Sequence, residues 1–209
     1  MTWSSWFANF QERAEMSRHP VMVRQVCPLL PQDPQNSPDL LLSTEFVWSE
    51  GGLLELSYNL RPAYSDGDLH ALALPSLERE CVPMHGARCD ELWKHNCFEA
   101  FIGLPGSQQY WELNVSPLGH WNLYSFESYR LAGSHLVEAV SPSVTVRQTQ
   151  RDCRCDVVLD LRPWWPIEGM PELGLTMVVE EIDGRLSYWA LSHPGEVADF
   201  HDRRSFLIC

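Results

Sequence analysis

The sequence predicts an all-β chain folded as an antiparallel β-sandwich, and two observations carry that reading. Fifteen prolines and twelve glycines punctuate the 209 residues at short intervals, so no long 3.6-residue apolar period survives between them. The segments that remain are about five to ten residues long, several with apolar groups at every second position, as expected for strands with one buried face. The length suits a single domain with a full hydrophobic core.

Taken in order, residues 1–39 read as an N-terminal extension. Residues 5–16, "SWFANFQERAEM", read either as a short helix, with Trp6, Phe7 and Phe10 at near-helical spacing, or as a disordered end. The proline-rich loop "PLLPQDPQNSPDLL" (28–41) follows. The sandwich then occupies 40–209. Residues 42–49 and 53–60 form a hairpin about a Gly51-Gly52 turn, with Leu54, Leu56 and Tyr58 alternating against Glu55, Ser57 and Asn59. Further strands are expected at 69–74, 97–102, 109–115, 120–127, 135–147, 153–161, 173–181, 185–191 and 205–209. The link 162–173 is a crossover loop whose Trp164 and Trp165 cap the core.

Charge and cysteine usage bound the function. A formal net charge of -13, with Lys94 the only lysine, argues against nucleic acid and against an anionic membrane surface. It favours a neutral or cationic small ligand. The first thirty residues contain Glu12, Arg13, Glu15, Arg18 and Arg24, so no signal-peptide core can be drawn there. Nowhere does the chain approach the roughly 18 apolar residues of a membrane span. The expected compartment is the cytoplasm, where all seven cysteines would be reduced thiols.

The segment 90–121, "DELWKHNCFEAFIGLPGSQQYWELNVSPLGHW", carries the candidate site. A period of two puts Phe98, Ala100 and Ile102 on one face of "CFEAFI", with Cys97, Glu99 and Phe101 on the other. In "YWELNV" it groups Trp111, Leu113 and Val115 against Tyr110, Glu112 and Asn114. The apolar sets face the core, and the rest form a polar-aromatic surface. If 116–119 is a two-residue hairpin turn, Asn114 stands opposite Trp121 and an indole joins that surface. Flat rings beside carboxylate and amide acceptors describe a sugar site, because rings cover the C–H faces of a pyranose while the acceptors take its hydroxyls.

The segments "LWKHNCFEAFIG", "YWELNVSPLGHWNLYSFESYR" and "YWALSHPGEVADFHDRRSF" resemble the DOMON-like domains related to family 9 carbohydrate-binding modules, in the family's order. The resemblance implies a jelly-roll-like sandwich that binds a sugar or, in other branches, a haem at one face. It implies that Trp93 and Trp189 are the stacking plates and that Glu99 and Asn114 take hydroxyls, with Glu112 and Tyr110 secondary. Asp199 and His201 in "DFHDRRSF" would close the fold. The sugar-binding modules are usually secreted and joined to a glycosidase, so the expectation here is a small sugar or other polyhydroxylated metabolite, bound without chemistry.

Three alternatives stand beside it. A haem domain would draw on Met84, His85, His95, His120 or His193 as axial ligands, without an attachment motif. A hydrolase or lyase would use Glu99 and Glu112 as an acid/base pair, although no catalytic signature such as G-x-S-x-G or H-E-x-x-H accompanies them. A protein-interaction module would dock a partner on the aromatic surface. No cofactor and no metal are expected, and no loop has the regular oxygen-ligand spacing of a calcium site.

Overall fold

The computed structural model describes residues 20–75, 82–84, 86–131, 133–135, 139–166 and 169–207, with only the backbone described at 82–84. The helix expected over 5–16, His85 and Cys209 lie outside these residues. Among the described residues there are twelve strands: β1 (Val21–Pro31), β2 (Leu40–Ser49), β3 (Leu53–Pro62), β4 (Val82–Met84), β5 (Cys97–Gly103), β6 (Tyr110–Val115), β7 (Trp121–Phe126), β8 (Ser134–His135), β9 (Ser143–Gln148), β10 (Cys153–Asp160), β11 (Glu172–Glu180) and β12 (Leu186–Ala190). Among the described residues no helix is long and apolar enough to cross a membrane.

The all-β antiparallel reading holds at that level, but two separate sheets do not form. Instead one twelve-stranded sheet runs in the order β4-β9-β10-β3-β2-β1-β12-β11-β5-β6-β7-β8, with every named strand pair antiparallel. Strand β1 joins its two halves. Most of β1 pairs with β2, while its last residues Leu30 and Pro31 pair with Ala190 and Trp189 of β12. The sheet curls so that both halves contribute to one core, where the Tyr58 ring of β3 lies 5.3 Å from the Phe98 ring of β5.

Several elements differ from the sequence reading. Residues 21–31, within the segment read as an N-terminal extension and proline-rich loop, form a strand in the middle of the sheet. Pro28 and Pro31 masked it, because proline is usually confined to edges. Here β12 meets β1 only at Leu30 and Pro31, so Pro28 lies where β1 has an edge-like side, and Pro31 is the last residue of the strand. At 69–74 a turn and a single bridge, Leu72 to Glu181, replace the expected strand. Within 135–147 the regular strand is β9, and the described part of 205–209 contributes one bridge, Leu207 to Leu173. Trp164 and Trp165 do pack on Trp111, with ring centroids 5.0 and 5.6 Å away.

The faces of β5 and β6 follow the period of two: Phe98, Ala100, Ile102, Trp111, Leu113 and Val115 all lie in the core. The β6–β7 turn corrects one expectation. Val115, not Asn114, pairs with Trp121, because Gly119 bonds back to Ser116 and adopts φ 77°, making the loop one residue longer than the two-residue form. One extra residue reverses the parity of everything after it. Trp121 therefore enters the core, and Asn122 faces the other way beside Asn114. Gly119→Ala would force Cβ into the left-handed region and is expected to cost about 1–2 kcal/mol, measured as a lower urea midpoint. An unchanged midpoint would show that the turn relaxes freely.

Candidate functional site

On the face of β5 and β6 that turns away from the core, Glu99, Phe101, Tyr110, Glu112 and Asn114 are all buried, at 0–6% exposure. An antiparallel sheet often leaves such a face to water, whereas here a covering comes from far along the chain. The C-terminal segment lays Phe200, His201 and Phe206 around Phe101, with centroids 6.4, 5.1 and 6.0 Å from its ring. Phe126 stacks on Tyr110 at 4.8 Å and 4°. Arg203 secures this segment by bonding the Glu172 carboxylate and the Leu104 and Ser107 carbonyls. Leu207 adds two backbone bonds to Leu173, and Gly174 leaves room for Phe206, since a Cβ there would sit 2.5 Å from the phenyl ring.

The covering is incomplete and leaves a pocket of about 470 Å³, within the range of small-molecule sites. Glu99 and Glu112 are among its lining residues. They lie diagonally on neighbouring strands, since Glu99 pairs with Asn114 and Phe101 with Glu112. The Thr176 hydroxyl donates to Glu99 Oε2 at 3.1 Å, while Glu99 Oε1 has no partner. Asn114 Nδ2 donates to Glu112 Oε1 at 2.8 Å.

Burial dominates the electrostatics here. It pushes the Glu99 carboxyl up to about 8, with the neighbouring Glu112 carboxyl adding to the shift. Burial also raises Glu112, against the bond from Asn114 and the attraction of Arg130. His201 moves the other way, down to about 4, because burial and then Arg130 oppose its charged form.

A chain of polar contacts fixes how His201 is held. The backbone N–H of Arg130 donates to Tyr110 Oη at 3.0 Å, so the Tyr110 hydroxyl is free to give its proton to His201 Nδ1 at 2.7 Å. A neutral imidazole that accepts at Nδ1 carries its proton on Nε2. That Nε2–H lies 3.7 Å from Glu112 Oε2, an electrostatic contact longer than a hydrogen bond. Asp199 anchors the covering loop by accepting from the Tyr129 hydroxyl at 2.6 Å and from Arg130 Nη2 at 2.9 Å. Arg130 itself has φ 52°, which turns the loop back over the sheet.

Aromatic rings make up much of the rest of the lining. Trp93 stands on a 3-10 turn, Leu92–Lys94, which follows Glu91 at φ 60°, and its indole is 39% exposed. It meets Tyr124 edge to face at 5.7 Å. The Tyr124 hydroxyl donates to Asp90 Oδ1 at 2.7 Å, and burial together with that carboxylate raises its ionisation well above the ordinary value. Tyr188, 38% exposed, also lines the pocket and meets Phe200 edge to face at 6.0 Å.

Of the residues singled out by sequence, Trp93, Glu99 and Glu112 line the pocket together. Tyr110 and Asn114 lie beneath it, fully buried, where they hold His201 and Glu112. Trp189 does not reach it. It packs in the core opposite Met177, with its indole N–H on Ser187 Oγ at 2.9 Å, and Tyr188 takes the outward position. Both residues in "SYWA" are aromatic, so only the register against β11 distinguishes them. Tyr124, Phe126, Arg130 and Phe200 also line the pocket. Tyr124 and Phe126 follow from β7 once the parity of its turn is known. Arg130 and Phe200 sit on covering segments with no local periodic signal. His201 lies in a motif for which a role in closing the fold is favoured. Among the described residues no group of three or more His, Cys, Asp or Glu side chains is placed to hold a metal.

Comparison with known proteins adds a fold likeness. No family model matches this sequence, and no curated protein matches it. Among solved structures, the chain is similar to a protein of Bacteroides uniformis ATCC 8492 to which carbohydrate binding has been ascribed. The two share 10% sequence identity at a TM-score of 0.54, over 94% of this chain and 88% of the other, so what they have in common is the fold.

Proposed function

We propose that this chain binds a small carbohydrate or similar polyhydroxylated metabolite in the pocket over β5 and β6, without transforming it. The observation that carries the reading is the composition of that pocket: Trp93, Tyr124 and Tyr188 offer ring surface beside the carboxyls of Glu99 and Glu112. Rings of this kind cover C–H faces, and carboxyl oxygens orient hydroxyls. Two things support it from outside the site: the fold likeness to a protein with an ascribed carbohydrate-binding role, and the sequence resemblance to DOMON-like domains. In this reading the curled sheet is a jelly-roll-like variant, and the protein works on soluble ligands in the cytoplasm.

Calorimetry against a panel of mono- and disaccharides tests this directly. At least one is expected to bind, and Trp93→Ala to weaken it about tenfold, or about 1.4 kcal/mol, with an unchanged circular dichroism spectrum. If no member of the panel binds the wild type, the proposal fails.

One observation favours a second reading. A Glu99 carboxyl that keeps its proton near neutrality, beside Glu112, has the form of a general acid and its partner in glycoside cleavage. Release of nitrophenol from nitrophenyl glycosides, lost in Glu99→Gln, would establish the enzyme in place of the binding module.

A further inference from the structure

We propose that the ligand carries a protonated primary amine that donates to Glu99 Oε1 and lies between the Glu99 and Glu112 carboxyls. On the carbohydrate reading, on which the sugar part of this rests, the ligand is an amino sugar rather than a neutral one. Glu99 is 2% exposed and lines the pocket, its Oε2 is satisfied by Thr176, and its Oε1 has no donor. A buried acceptor without a donor is costly, so this atom marks where a ligand N–H or O–H is missing.

The charges around it decide which donor suits. Glu112 faces Glu99 from β6, and Thr176 from β11 is uncharged. On its own strand Cys97 is a thiol that burial keeps protonated, and it offers the Glu99 carboxyl only the weak donor of an S–H. From the covering segments come His201, held neutral, and Arg130, whose guanidinium is bound to Asp199 at 2.9 Å. A hydroxyl would supply the missing bond only while Glu99 keeps its proton, because it brings no charge to balance Glu99 against Glu112. An ammonium group supplies the bond and balances the charge.

A metal cation fits less well. Calcium takes about six to eight oxygens, and no cluster of three or more candidate ligands exists among the described residues. The surrounding walls are the rings of Trp93, Tyr124, Phe126 and Phe200, which suit an organic cation. A quaternary ammonium would have no N–H to give Oε1, whereas a primary ammonium has three donors, enough for both carboxyls.

The test is calorimetry of the wild-type protein near pH ~6.5 with glucosamine, N-acetylglucosamine, glucose, ethanolamine and calcium chloride, in two buffers of different ionisation enthalpy. Glucosamine is expected to bind at least about tenfold more tightly than its N-acetyl form or glucose. Close to one proton per site should be released, because Glu99 enters protonated and leaves ionised. Glu99→Gln should abolish the proton release and shrink the preference to about twofold or less. Should that variant misfold by circular dichroism, Glu112→Gln serves instead, with the preference for glucosamine expected to drop at least about threefold. A neutral sugar that binds as tightly as glucosamine overturns the amine and leaves the carbohydrate reading standing. Binding of ethanolamine without any sugar does the reverse. Binding of calcium but of no amine overturns the amine in favour of a metal, and silence from all five ligands overturns both readings.

Discussion

Phe206→Ala is expected to lower the free energy of unfolding by about 3–5 kcal/mol, the range for removing a buried phenyl group. Phe206 is 7% exposed, packs on Phe101 at 6.0 Å, and fills the space that Gly174 leaves open. Its loss would empty that space and loosen the segment carrying Phe200 and His201, both of which line the pocket. The same variant should therefore weaken ligand binding even though Phe206 is not a lining residue. Chemical denaturation and calorimetry measure the two effects. A loss of stability below about 1 kcal/mol would mean that the segment is held by Arg203 and Leu207 rather than by the ring.

The second large effect is a fall in stability at mildly alkaline pH. The folded chain holds Glu99 protonated up to about 8, whereas an unfolded glutamate releases its proton near pH ~4.3. Between these values the folded state binds the extra proton, so stability decreases as pH rises. His201 acts in the opposite sense: it titrates near 4 when folded and near pH ~6.5 when unfolded, so over that window stability increases with pH. The two slopes oppose each other up to about pH 6.5, and above it the Glu99 loss is left.

At about 1.4 kcal/mol per unit, the wild type should lose about 2 kcal/mol between pH ~6.5 and pH ~8. Glu99→Gln keeps the shape of the protonated acid and cannot ionise. It should flatten that decline and raise stability at pH ~8 by on the order of 4 kcal/mol. Urea titrations across this range test it, and a wild-type stability that stays level or climbs would show Glu99 ionised in the folded state. A residue that costs the empty protein this much is more readily understood as serving a ligand than as serving the fold.

The central strands show how far the sequence could be read. A strict period of two in "CFEAFI" and "YWELNV" separates Phe98 and Leu113 from Glu99 and Glu112, and the structure keeps that separation because the two strands pair in an unbroken register. Where parity depended on a turn, the reading failed: the Gly119 turn carried Trp121 into the core. Trp189 failed for a related reason, since two adjacent aromatics can be exchanged by a shift of one residue and only pairing with Met177 and Val178 fixes their sides. Strand β1 stayed hidden because its prolines obey an edge rule that the sequence cannot apply without knowing its neighbours.

By itself, then, the sequence determined an antiparallel all-β chain and placed Glu99, Glu112 and Asn114 on the face of β5 and β6 opposite the core. Both follow from local alternation, a property of neighbouring residues along one strand. The tertiary structure alone decided that this face is buried rather than wet, that Tyr188 rather than Trp189 looks outward, and that Glu99 Oε1 is left without a donor. These depend on segments such as 128–131 and 198–207 that meet the sheet from afar, and such contacts leave no periodic trace in the residues they cover.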